Sequence, residues 1–111
     1  MNNNIEQLVK DVLGSNLINN LEMQEWSEKD KIVYQKQIID TVVNRVIARI
    51  IESLSMTEIN EYKNISEKDE DAGWKFIESK VTDIKQIAAE EYIVLVAELK
   101  KELELVNAYA K

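Results

Sequence analysis

Along the first fourteen residues the apolar side chains fall at Ile5, Leu8, Val9, Val12 and Leu13, a spacing that gathers them on one side of a helix. Asn4, with Gln7 three residues on, offers an N-terminal cap, and Gly14 offers a stop. Residues 15–26 are Asn-rich and carry Leu17, Ile18, Leu21 and Trp26; they read as a turn with one short helical turn against the core. Ser27, with Asp30 at the third helical position, then opens a long helix over about 28–54. Its apolar residues are Ile32, Val33, Ile38, Ile39, Val42, Val43, Val46, Ile47, Ile50, Ile51 and Leu54. On a helical wheel they sweep roughly 220°, about twice a one-sided face. The pairs recur every four residues, so the stripe rotates around the helix and must meet different partners along its length. This is the central helix. Its β-branched residues also suit a buried strand, but a stretch this long without a turn signal exceeds ordinary strand lengths.

Ser55 with Glu58 starts a further helix carrying Met56, Ile59, Tyr62 and Ile65. The polar stretch "SEKDEDAG" has the character of a loop, and a short helix anchored by Trp74, Phe76 and Ile77, with Val81 beyond them, follows it. Thr82 is placed to cap a last helix over about 83–108, built on Ile84, Ile87, Ala88, Leu95, Leu99, Leu103 and Val106. The pattern predicts an all-α fold: a compact bundle of about five helices, built on two long antiparallel helices at about 28–54 and 83–108. No repeat is visible, and residues 1–111 read as a single domain.

Composition agrees with long helices. Proline is absent and only Gly14 and Gly73 are glycines, so little interrupts a helix. The apolar fraction of 45% and charged fraction of 32% fit a globular helical protein rather than a disordered chain. The net charge of −7 is spread along the sequence, with no basic arm, which disfavours nucleic acid as a partner. The start, "MNNNIEQLVK", lacks the features of a signal peptide, and the apolar run "YIVLVA" is too short to span a bilayer. No membrane association and a cytoplasmic location are therefore expected.

The segments "VVNRVIARIIESLSMTEINEYKNI" and "WKFIESKVTDIKQIAAEE", separated by an acidic break and followed by a Glu/Lys-rich final helix, carry a resemblance. The chain resembles a domain-of-unknown-function family of small acidic all-helical proteins from ultra-small uncultured (candidate-phyla) bacteria. The likeness covers about residues 12–104 and lies in the pattern of elements. It implies an architecture and assigns neither an activity nor a site.

Candidate chemistry is sparse. With no histidine and no cysteine, the commonest general bases, thiol nucleophiles and zinc ligands are missing. No phosphate-cradling glycine loop exists, and an enzyme is not expected. The stretch "EKDEDAGWKFIE" places Glu67, Asp69, Asp71 and Glu78 at positions 1, 3, 5 and 12 of a calcium-type loop, with Trp74 between them. Position 1 is a glutamate, however, and Ala72 stands where the sharp turn wants glycine. An acidic helix start matched to the helix dipole is the preferred reading, with no metal or cofactor.

Arg45 and Arg49, the only arginines, sit one helical turn apart at the margin of the central helix's apolar arc. Glu91, Glu98 and Glu102 fall inside the arc of the last helix, where acids need partners or water. The arginines are therefore expected to pair across the bundle with one or more of these glutamates, in preference to capturing an external anion or reaching separately into solvent. "YIVLVA" is apolar around the whole helix, so Ile93 and Val96 should point away from the main stripe and leave an apolar surface for a partner. A non-enzymatic interaction or assembly module follows, self-associating as a homodimer or binding a protein partner. The alternative is a small acidic inhibitor or antitoxin-like protein of a phage or mobile element with one protein target. Capture of one dominant partner from a lysate would separate it from a self-associating module.

Overall fold

A computed structural model describes residues 1–14 and 26–110. Among them are five helices and no strand: α1 (Asn2–Leu13), α2 (Glu28–Ser53), α3 (Met56–Lys68), α4 (Glu70–Lys80) and α5 (Ile84–Ala110). The all-α class and the two long helices match the pattern of the sequence. The segment read as a turn with a short helical turn lies, up to residue 25, outside the described residues, as do the side chains of Leu103 and Val106.

Each helix end has a local cause. In α1, Asn4 lies inside the helix rather than capping it, because the first turn already begins behind Met1. Gly14 closes α1 at φ 58°, a left-handed conformation that favours glycine, and its N–H donates to the Lys10 carbonyl. Ser27 Oγ accepts the Asp30 N–H at 3.2 Å and starts α2. Leu54 and Ser55 turn the chain, and Ser55 and Glu58 form a reciprocal box, with N–H···O distances of 2.9 and 3.1 Å.

The polar stretch expected to be a loop is almost entirely helical. Only Asp69 breaks it, closing α3 through its N–H to the Ile65 carbonyl and opening α4 by accepting the Asp71 and Ala72 N–H groups on Oδ1. One residue serves both ends, so no longer connection is needed. The last helix likewise starts one residue later than expected. Val81, Thr82 and Asp83 are non-helical, and the Asp83 carbonyl, not Thr82, accepts the first helical bond, from Ile87.

The core gathers Ile5, Val9 and Leu13 from α1, Ile38, Val42, Val43, Val46 and Ile50 from α2, and Ile84, Ile87, Ala88, Tyr92 and Leu95 from α5. α1 packs against both long helices, and those two run antiparallel, since Arg45 meets Glu98 while Arg49 meets Glu90 and Glu91. α4 sends Ile77 fully into the same core, and α3 packs on α4 without fully burying any residue. The two meet closely at Gly73, where an added Cβ would stand 2.8 Å from Ser66 Cβ and 3.1 Å from its Cα.

Not every residue of the broad α2 arc is buried. Ile32, Val33 and Ile51 are exposed. α1 has 12 residues against 26 in α2, and at ~1.5 Å per residue it covers less than half of that helix. The bundle is drawn out along its long helices to 55 × 24 × 19 Å. Its radius of gyration is 16.7 Å, against about 13 Å for a compact domain of this length.

Candidate functional site

The antiparallel approach of α2 and α5 creates the densest polar constellation among the described residues. Arg45 and Arg49 project from successive turns of α2 toward α5. Arg45 Nη2 donates to Glu98 Oε2 at 2.9 Å, while Arg49 Nη1 donates to Glu90 Oε2 at 2.8 Å and, more weakly, to Glu91 Oε1 at 3.5 Å. Gln86 Nε2 donates to the other Glu90 oxygen at 3.1 Å. Glu91 is the most enclosed of these acids, its side chain 19% exposed, whereas Glu90 and Glu98 stay about half in water.

The hydrogen bond to Glu98 raises the already high Arg45 value, and the bond to Glu90 does the same for Arg49. The Arg49 guanidinium, with Gln86, holds the Glu90 carboxyl below its usual range. Both arginines are thus partnered within the fold, which joins α2 to α5. Of the glutamates expected to answer them, Glu91 and Glu98 do. Glu102 instead lies near Tyr34, whose phenol is pushed up first by burial and then by this carboxylate. Glu90 was not anticipated, because the wheel places it outside the apolar arc of α5 and an arginine reaches it only around the helix flank.

The residues of the calcium-type loop do not form one. Glu67 lies in α3, Asp71 and Glu78 lie in α4, and Asp69 spends its carboxylate capping α4. Among the described residues no group of three or more carboxylates is placed to hold a metal ion. Trp74, which lies between those carboxylates in the sequence, is half-buried against the core and lines a cleft of about 380 Å³ with Leu8, Val81 and Ile84.

A second cleft of about 370 Å³, on the Arg49 side of the same turn, is lined by Arg49, Lys80, Asp83 and Glu90. Its cations are already engaged: Arg49 as above, and Lys80 with Glu58 at 3.9 Å and over the Phe76 ring at 5.6 Å.

The apolar surface expected on α5 is present with one change of membership. Ile93 is 66% exposed and Val94 49%, while Val96 is half-buried against the core. On the wheel Val94 and Val96 lie on opposite flanks of the buried face, each about 100° from its centre; the Val96 flank is packed against the core and the Val94 flank is open. Beside Ile93, Ala97 is exposed and Ala89 half-buried, so Ile93 stands between two small side chains one turn away on either side. No helix among the described residues is long and apolar enough to cross a membrane. No known protein family, characterised protein or solved structure matches the chain.

Proposed function

We propose that this protein is a non-enzymatic interaction and assembly module that self-associates through the outward face of α5. The observation that carries the proposal is Ile93. It stands two-thirds exposed in the middle of the longest helix, whose opposite side buries Tyr92 and Leu95 in the core. α5 has satisfied its core and still presents an apolar side chain flanked by alanines to solvent.

The polar constellation favours assembly over chemistry, because its arginines and glutamates already bind one another and the chain has no histidine or cysteine.

The test is the mass in solution. Light scattering at rising concentration is expected to move from 12.9 kDa toward twice that value. A mass that stays at 12.9 kDa up to about millimolar chain, where even the weakest specific dimers populate, would remove the proposal.

A further inference from the structure

We infer that the occupant of this face is α5 of a second copy, lying antiparallel, with Ile93 of each copy against Ala97 of the other. The inference rests on the self-association proposed above and specifies its geometry. Three features on α5 carry it.

The first is shape. Ala89, Ile93 and Ala97 follow one another at four-residue intervals on the outward face, so one large side chain lies between two small ones. If Ile93 faces Ala97 of the second copy, each knob sits where its neighbour has no bulk, and both contacts form at once about a two-fold axis.

The second is charge. The outward face carries Glu90 in the first half of α5 and Lys100 in the second, both exposed. The register that sets Ile93 against Ala97 sets Glu90 against Lys100 of the second copy, twice. It also sets Glu104 against the neutral Gln86, so no like charges face each other. A parallel pair would instead oppose Lys100 to Lys100 and Glu90 to Glu90, which costs affinity and selects against that arrangement.

The third is availability. Lys100 is exposed and takes part in no ion pair among the described residues. Glu90 already accepts from Arg49 and Gln86, but a carboxylate offers about four acceptor sites and the side chain is 47% exposed, so a lysine can join it.

The natural chain has no cysteine, so single-cysteine variants report cleanly. Chains carrying Gln86→Cys are mixed with chains carrying Glu104→Cys and oxidised. The antiparallel register brings these two positions together, while each stays roughly 27 Å along the helix from its own counterpart. The expected product is the mixed disulfide in roughly tenfold excess over either homodimer, because the bond forms only when Cβ atoms approach to about 4 Å; random collision gives only about a twofold excess.

Homodimers in excess would overturn the inference. So would a mixture at the random ratio in chains that light scattering shows to be dimeric, and in that case self-association would stand with its surface elsewhere. A chain that stays monomeric would end both. Circular dichroism of each variant checks that these exposed substitutions leave the helices intact.

Discussion

Arg45 and Glu98 are the most direct link between the long helices, and their value is bounded by water. The two side chains are 33% and 49% exposed, so a double-mutant cycle with Arg45→Ala and Glu98→Ala should return a coupling of about 0.2–1 kcal/mol. Strict additivity in urea denaturation would show that the pair contributes nothing. The Arg49–Glu90 contact has a pH signature instead. Its folded carboxyl lies below the usual value of 4.5, so its contribution is present above that value and is lost as pH falls through the lower, folded one. Glu58, held low by the Ser55 N–H, acts in the same direction. Stability should therefore fall on acidification below about pH 4.5, and Arg49→Gln should reduce that fall without abolishing it, since Glu58 remains. An unchanged acid limb in Arg49→Gln would contradict the assignment. Glu91 and Glu98 were legible as partners because an acid on an apolar stripe calls for a cation. Glu90 was not, since its position on the wheel looks like ordinary solvent and only the reach of an arginine around a neighbouring helix makes it a partner.

Helix starts are decided by a few neighbouring atoms, which is why Ser27 and the Ser55–Glu58 box could be read directly. Removing the Ser27 hydroxyl in Ser27→Ala should cost about 1 kcal/mol, measured as a lower denaturation midpoint with little change in the steepness of the transition. The α3–α4 junction was less legible. A run of Ser, Glu, Lys and Asp has the composition of a loop, yet these residues also tolerate helix, and a single aspartate able to cap one helix while ending another makes the loop unnecessary. Thr82 and Asp83 are both competent cap residues, and the helix begins after the second of them, with the Asp83 carbonyl accepting from Ile87 and with Val81 and Ile84 buried on either side. Gly73 was legible only as a rare residue, because its role depends on a second helix. Within an isolated helix Gly73→Ala would be favourable by ~1 kcal/mol, but here the new methyl group meets the Ser66 Cβ and backbone, which cannot swing away. The expected net effect is a loss of roughly 1–3 kcal/mol, with α3 and α4 separating slightly. A stabilised Gly73→Ala protein would show that the crossing is looser than described.

At the scale of the molecule, the two long and three short helices among the described residues form a bundle that closes its core yet remains elongated. The apolar arc of α2 explains how α1, α4 and α5 share one core, and that much followed from its periodicity. Which apolar residues would be left outside did not follow. Ile32 and Val33 belong to the same arc as buried residues, and Ile93 and Val96 looked alike in "YIVLVA" until the depth of packing around α5 separated them. In the proposed assembly this leftover surface on α5 is where the molecule meets its own copy, with Ile93 at its centre. Because Ile93 is 66% exposed, Ile93→Glu should leave monomer stability within about 0.5 kcal/mol of the parent while removing the apolar contact that each copy contributes to the proposed interface. Sedimentation equilibrium of the two proteins side by side is the most direct test. The parent chain is expected to form a concentration-dependent dimer and Ile93→Glu a single 12.9 kDa species with an unchanged helical spectrum; equal masses for the two proteins at every concentration would rule out self-association through this face.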